Sequence, residues 1–582
     1  MADIRSATIA YFSMEICLEQ RIPTYSGGLG VLAGDTLRSA ADLGLPMVAV
    51  TLAHRHGYFR QHLDPAGQQT ETPADWRPEQ WLRAMEPRVT VQIEQRPVVV
   101  RAWRYDVRGI GGHVVPVYLL DTDLAENDEW ARALTDTLYG GDERYRLAQE
   151  IVLGIGGAAM VAALGHDGSA LYHINEGHAA LLGLLLLERQ LRSHQAAHVS
   201  EADIEAVRRR CLFTTHTPVP AGHDRFPEEL VRAVLGPGRC QLLRAAGGCE
   251  DDGSLNLTHL ALRLSRFVNG VALRHREVSQ EMFPKYSVDA ITNGVHAATW
   301  TCPSMRDLFD RHIPQWRRDN LYLRYAVDIP LDEIRDAHTR AKRVLLAEVE
   351  RRTGERLDER ALTIGFARRA TMYKRADLIF RDLERLRLIA REVGPLQIIF
   401  GGKAHPHDEG GKGLIRHVHE AARALEGSVN VIYLENYEMD LGQLMTSGVD
   451  LWLNNPRKPL EASGTSGMKA ALNGVPSFSV LDGWWVEGHV EGVTGWSIGG
   501  TAPESDPAAE ANDLYVKLER TILPLFYALP MAWAQVMRST IALNGSFFNT
   551  QRMVEQYLRN AYFPPELEEE QAEERKGRLG AA

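Results

Sequence analysis

Strand-like runs that end in small or polar turns and pass into helices recur along this chain, and that alternation restricts the fold more than any other feature. Such units predict an α/β protein with mostly parallel sheets, whose ligands lie beyond the C-terminal ends of the strands. The clearest case is the stretch from Asn454 to Gly488. It follows a strand-like run, Val449 to Leu453, passes Pro456 and Pro459, and turns through Gly464 to Gly467. A short helix is expected over Met468 to Leu472, closed by Asn473-Gly474, with a second strand over Pro476 to Leu481. The free N–H groups of such a turn, and the dipole of the helix it opens, attract phosphate. Lys469 falls at the start of the expected helix, eight residues after Glu461.

At 582 residues the chain is too long for one core, and two or more domains are expected. Its net charge of −11 argues against general binding to nucleic acid or to an anionic membrane, which need clustered positive charge, but leaves room for a local basic pocket. Five scattered cysteines without CxxC spacing (Cys17, Cys211, Cys240, Cys249, Cys302) fit a reducing compartment, with neither a disulfide framework nor a zinc site. The N-terminal residues lack a basic segment followed by a long apolar run, so no secretory signal is read. The apolar stretches Ile151 to Leu164 and Ala179 to Leu187 fall short of a membrane span and read as buried helices. A cytoplasmic protein without membrane or nucleic-acid partners is expected.

Along the chain, a first strand is expected over residues 7–12, followed by Gly27-Gly28-Leu29-Gly30 and a helix from Val31 to Leu43. Glycine at a strand-to-helix turn lets backbone approach a ligand closely. Further strands are read at Pro46 to Leu52, Val98 to Trp103 and Val115 to Leu120, and a long helix from about Arg144 to Leu164. The runs Leu171 to Asn175 and Leu212 to Thr215 end in loops carrying Glu176, His178 and His216, the second stiffened by Pro218 and Pro220. The strand Val288 to Thr292 leads into Asn293, with Trp300 soon after. A charged, largely helical connector spans Arg306 to Arg360, and then the βα pattern resumes. Strands are read at Leu362 to Ala367, Leu396 to Phe400 and Val429 to Leu434, the last followed by Glu435-Asn436-Tyr437. Helices about Ala509 to Leu523 and Thr550 to Ala561 precede a charge-dense tail expected to be solvent-facing.

The run Arg368-Arg369-Ala370-Thr371-Met372-Tyr373-Lys374-Arg375 places two cationic pairs at the C-terminal end of a strand. Arginine grips phosphate oxygens bidentately and lysine supplies a mobile point charge, although a solvated basic face has the same composition.

The segment Glu461-Ala462-Ser463-Gly464-Thr465-Ser466-Gly467-Met468-Lys469 resembles the pyridoxal-phosphate attachment segment of the α-glucan (glycogen, starch, maltodextrin) phosphorylases. The resemblance covers most of residues 7–565. It implies two Rossmann-like domains facing a deep cleft, the GT-B architecture of glycosyltransferases. The N-terminal substrate domain would span 1–300, the cofactor-binding domain 301–545, and residues 546–582 would return to the first domain. It also implies phosphorolysis of an α-1,4-glucan or maltodextrin by inorganic phosphate, giving α-glucose 1-phosphate with retention. Pyridoxal 5′-phosphate would be held by Lys469 as a Schiff base, and its own phosphate would exchange a proton with the substrate phosphate. Thr465, Ser466, Arg368, Tyr437 and Trp300 would complete the cofactor site. Arg369 and Lys374 would bind the substrate phosphate and act with Lys469 in catalysis. Glu461, Ser463, Gly464, Asn293, His216, Glu176, His178, Gly27 and Gly28 would contact sugar. A homodimer is a family expectation.

This sequence departs from the well-known animal members at Ser466-Gly467, where they carry Gly-Asn, at Arg266, where they carry histidine, and at Glu438, where they carry arginine. The GGLG loop is shared with glycogen synthases, so a nucleotide-sugar glycosyltransferase is one alternative. A catalytically inactive glucan-binding protein is the other. Synthases commonly carry a second glutamate eight residues after the first, where Lys469 stands here. His405, His407 and Asp408 have the residue types of a metal site, but Pro406 and the glycines after them favour an exposed loop, and no metal is expected.

Overall fold

A computed structural model describes residues 8–166, 170–219 and 222–564. The strands in chain order are β1 (Ile9–Ser13), β2 (Met47–Leu52), β3 (Arg60–Leu63), β4 (Gln69–Thr72), β5 (Arg83–Ile93), β6 (Arg96–Arg108), β7 (Val114–Asp121), β8 (Leu171–Asn175), β9 (Cys211–Thr214), β10 (Arg225–Phe226), β11 (Leu255–Asn256), β12 (Phe267–Gly270) and β13 (Asp289–Ala290). After a helical connector come β14 (Leu362–Ala367), β15 (Leu396–Gly401), β16 (Asn430–Leu434), β17 (Leu451–Asn454), β18 (Ser477–Val480) and β19 (Gly495–Ile498). Fifteen of them form two large sheets, and β3-β4 and β10-β11 form two small antiparallel ones. The first large sheet has the order β13-β12-β9-β8-β1-β2-β7-β6-β5 and the second β16-β15-β14-β17-β18-β19.

Every pairing in the second sheet is parallel, with Ile364 opposite both Ile398 and Leu451. All six residues of β14 and of β15 are buried, as strands covered on both faces must be. The first sheet is parallel except at one edge, where β5, β6 and β7 pair antiparallel. Apolar side chains pack on both of its faces, Phe12, Val50 and Ile174 on one and Tyr11, Ala49 and Leu212 on the other. Burying one such side chain is worth about 1.5–3 kcal/mol.

In each sheet the chain order reverses at one strand, and a crevice opens beyond the C-terminal ends there. In the first sheet β1 lies between β2 and β8, and in the second β14 lies between β15 and β17. The residues after β1, β8, β14 and β17 are Met14-Glu15, Glu176-Gly177, Arg368-Arg369 and Asn455-Pro456. The two halves are joined nearby. Gln61 of β3 donates to Gly402 O and exchanges bonds with Asn436, while Gln69 of β4 donates to Ala404 O.

The helix Glu143–Ala163 is long and apolar enough to cross a membrane by composition, but most of it lies inside the core. Its middle, Val152–Gly156, is a π-turn. The terminal helix Thr550–Tyr557 packs on the first sheet through Met553, Val554 and Tyr557. Tyr557 meets Thr214, and Tyr562 meets His173.

Several boundaries differ from expectation. The β13 strand has two residues instead of the five from Val288 to Thr292. The helix expected from Ala179 begins at Leu181 after a 3-10 turn. The helix carrying Lys469 starts at Thr465, so the lysine stands in its second turn. Gly464, at φ +94°, takes the left-handed conformation just before it and lets Thr465, Ser466 and Gly467 enter the helix. Pro220 and the charged tail after Pro564 lie outside the described residues.

Candidate active site

Lys469 is buried, and among the described residues no carboxylate lies within ion-pair reach of it. Its Nζ instead stands 3.7 Å from the centre of the Trp300 ring. Burial pushes the amine down to about 8, with Asp35 and Cys17 pulling the other way and Arg368 and Arg38 adding to the fall. The helix Thr465–Leu472 has no side-chain cap at its N-terminus, which leaves its first amides without an acceptor from that source. Tyr437 adjoins the same place: a side chain at Gly442 would meet Tyr437 Oη at 3.2 Å and Trp300 at 3.8 Å. Ser466 Oγ accepts from Trp452 Nε1 at 3.1 Å. A buried unpaired amine beside uncapped amides and two aromatic rings fits an aldehyde that also carries a phosphate.

The cations after β14 gather around Glu461. Arg368 Nη2 lies 2.8 Å and Lys374 Nζ 2.6 Å from its Oε2, and Arg368 also donates to Asn454. Burial alone would raise the Glu461 carboxyl, but the two cations overrule it and hold it below the usual range. Asp482 fixes the Glu461 backbone, accepting its N–H at 2.9 Å, and burial pushes this carboxyl up to about 6. Arg369 is solvent-accessible and makes no ion pair among the described residues. A Cβ on Gly27 would lie 3.7 Å from its Nη2, so the glycine loop of the first half faces this guanidinium. Two cations therefore meet the Glu461 carboxylate, and Arg369, next along the chain from Arg368, brings a third with no carboxylate of its own among the described residues, an excess suited to a dianion. Arg375, the fourth cation of the run, has a structural task. It pairs with Glu510 and donates to Asn455 O and Pro456 O, bracing the loop before Glu461.

Two of the expected sugar contacts present buried atoms without partners, Ser463 Oγ and Asn293 Oδ1. Trp484 N–H binds Ser463 O, Glu487 N–H binds Trp484 O, and Glu487 accepts from Thr292, so the two loops are tied together. Glu176 sits at φ +68°, a strained conformation for a non-glycine residue. Its carboxylate holds the turn by accepting from Gly177 N, His216 N and Thr217 Oγ1. His216 Nε2 lies 2.7 Å from Asn175 Oδ1. Burial above all pushes the imidazole down to about 3, so it stays neutral, with Nε2–H donating and Nδ1 left to accept. Gly28 begins the helix Gly28–Asp42, and a Cβ there would meet nothing within 4 Å.

His178 belongs to a second cluster. Its Nδ1 lies 2.8 Å from Asp224 and 3.3 Å from Glu150. Arg146 reaches Asp224 at 3.2 Å and stacks over the Tyr139 ring. Burial is the largest influence on His178 and would lower it, but hydrogen bonds to Asp224 and Glu150 raise it to about 9. Burial lifts Glu150 to about 8, and Asp224 is held well below the carboxylate range by its cationic neighbours. Glu150, His178 and Asp224 have the spacing of metal ligands, but the Arg146 guanidinium already supplies the positive charge there. The loop with His405 and His407 is committed locally, since His407 N–H donates to His405 and Asp408 caps the next helix.

Sequence reasoning missed four contributors. Glu15 accepts from Ser26 N and Gly27 N, shapes the glycine loop, and receives the Tyr139 hydroxyl. It stands two residues after β1, a position where the strand-end rule would have found it. Asp482, just beyond β18, carries the same signal. Asp35 betrays itself as an acid in the middle of a largely apolar helix. Tyr139 has no sequence mark. Two of the departures are accounted for: Arg266 donates to Arg209 O and Tyr562 O, and Glu438 pairs with Lys403 and accepts from Gln20.

Residues 248–494 match the family profile described as carbohydrate phosphorylase. The chain is 40% identical to a maltodextrin phosphorylase of Thermococcus litoralis, covering 95% of this chain and 70% of that one. It belongs to the carbohydrate phosphorylase family. A glycogen phosphorylase of Mycobacterium tuberculosis is 37% identical over 96% of this chain and 71% of its own, and one of Aquifex aeolicus is 35% identical over 98% and 88%. The chain is an enzyme of the glycogen and maltodextrin phosphorylase class.

Proposed function

We propose that the protein is an α-1,4-glucan phosphorylase, releasing α-glucose 1-phosphate from the non-reducing end of a glucan by attack of inorganic phosphate. The observation that carries this reading is the pairing of a buried amine, with no carboxylate partner among the described residues, with two cations paired to one buried acid and a third, Arg369, left over beside them. Arg369, unpaired, and Lys374 bind the incoming phosphate, while Glu461 keeps the pocket from exceeding the charge of a dianion. Ser463, Asn293 and Glu461 recognise the hydroxyls of one glucose, and neutral His216 accepts from another. Glu176 and Glu15 act on the loops, fixing His216 and Gly27-Gly28 at the cleft wall. Lys469, Thr465, Ser466, Arg368, Tyr437 and Trp300 would hold pyridoxal 5′-phosphate. When bound, that group supplies a phosphate with a second pKa of about 6, suited to proton exchange near neutrality.

The division into domains at 1–300, 301–545 and 546–582, facing each other across a GT-B cleft, is part of this proposal. It is supported by two separate sheets whose reversal points both carry site residues. A cytoplasmic location is supported by five free cysteines. The deciding experiment incubates the enzyme with maltodextrins of graded length, with and without phosphate. Phosphate-dependent glucose 1-phosphate is the expected product. Glucan extension from ADP-glucose without phosphate would favour a synthase, and glucan binding without turnover an inactive homologue.

A further inference from the structure

Asp35 has no role in the reaction as described so far, yet its carboxylate is fully buried in the helix Gly28–Asp42. A buried carboxylate is costly unless charge and hydrogen bonds compensate it. One oxygen, Oδ1, meets Arg38 Nη1 at 3.1 Å. The other, Oδ2, accepts from Trp300 Nε1 at 2.6 Å and from His296 N at 3.1 Å. Arg38 does not depend on Asp35 alone, because it also donates to Cys17 O and Leu18 O. The opposite use of Trp300 is its ring face, on which Lys469 Nζ rests. One indole thus joins a buried anion at its edge to a buried amine on its face.

We propose that Asp35 is a positioning residue for Lys469, holding the Trp300 indole as a fixed, electron-rich shelf on which the amine is presented to the aldehyde of its cofactor. An acceptor on the indole N–H polarises the ring toward its face and strengthens its attraction for a cation. No carboxylate touches the amine, so the amine is retained near the ring without being locked in an ion pair that capture would have to break. The charged and titratable groups around Lys469 are Asp35 and Arg38 on the first helix, Cys17 in the loop after β1 and Arg368 after β14. Among them Asp35 is the strongest influence favouring the ammonium form.

The inference rests on the reading of Lys469 as the cofactor lysine, and its test separates the two. The full-length chain, freed of cofactor, is mixed with pyridoxal phosphate from about pH 6 to about pH 10, which brackets the amine's titration. The amine adds to the aldehyde with loss of water, and borohydride then reduces the C=N bond, so mass spectrometry of the Lys469 peptide gives the capture rate. Asp35→Asn is expected to lower the limiting rate at high pH by about tenfold and to move the midpoint down by about one pH unit, because a favourable charge beside the ammonium is lost. Asp35→Glu restores the midpoint. Trp300→Phe keeps a ring but removes the N–H, and is expected to lower the limiting rate with a smaller shift of midpoint. Folded Asp35→Asn and Trp300→Phe chains with wild-type rate and midpoint would overturn the proposal, and Trp300→Phe decides alone if Asp35→Asn does not fold. A wild-type chain that captures nothing at Lys469 would instead sink the cofactor reading.

Discussion

Lys342 and Lys469 are buried to nearly the same depth, 3% and 6% exposed, in the same half of the chain, yet their surroundings are opposite. Lys342 donates to Asp450 at 2.6 Å and to Ala361 O at 2.7 Å, and Asp450 is further held by His338 and by Thr363 N. Lys469 has a ring and no carboxylate. A buried cation without a partner is unfavourable, so an unpaired one persists only where chemistry needs it. The same contrast separates the two charged clusters. Around His178, both cations reach Asp224, and Glu150 adds one oxygen to the same group. Near Glu461, among the described residues, Arg369 has no ion pair and Ser463 Oγ finds no partner. A paired buried lysine supports the fold, and an unpaired one marks the site.

The sharpest way to break this contrast is to remove both lysines separately. Lys469→Ala is expected to abolish cofactor retention and phosphorolysis while leaving the melting temperature of the cofactor-free chain unchanged or raised. A mutant with full turnover would sink the mechanism. Lys342→Ala should do the reverse, leaving Asp450 buried with only His338 and the Thr363 N–H as partners and destabilising the fold by about 3 kcal/mol in denaturant titrations. Next in size, Arg369→Ala is expected to lower kcat/KM for phosphate by about 10²–10³, with the glucan KM little changed. Retention of the wild-type phosphate dependence would place the anion elsewhere.

The smallest effect concerns the His178 cluster. Glu150 titrates at about 8 in the folded chain against 4.5 in the unfolded one, so its contribution to stability is complete below 4.5 and is lost as pH rises through 8. His178, raised to about 9, has the same sign. Glu150→Gln should therefore flatten the fall of melting temperature across that window, by on the order of 2 °C. A steeper fall would mean that Glu150 is ionised in the native state.

The strand–turn–helix order was legible because a β14 of LTIGFA and a β15 of LQIIFG are mostly apolar runs, each with a single polar residue, bounded by polar turns. The site segment from Glu461 to Lys469 was legible because its residues are contiguous. What sequence could not supply is what meets across the cleft. Nothing local says that Gly27 faces Arg369 or that Asp35 reaches Trp300 over 265 positions. Boundaries near Gly464 shifted for a related reason. A glycine cluster reads as a turn, yet only Gly464 has the left-handed conformation, and Gly467 continues the helix beside Trp484. Arg375 was grouped with the phosphate-binding cations by adjacency, but its left-handed backbone turns it toward Glu510.

The central claim is that an unpaired buried amine, and not a buried amine as such, takes the cofactor. Peptide mapping of the wild-type chain after loading with pyridoxal phosphate and borohydride reduction tests it most directly. The account predicts the reduced adduct on Lys469 and none on Lys342. An adduct on Lys342 or on surface lysines alone, with Lys469 unmodified, would contradict it.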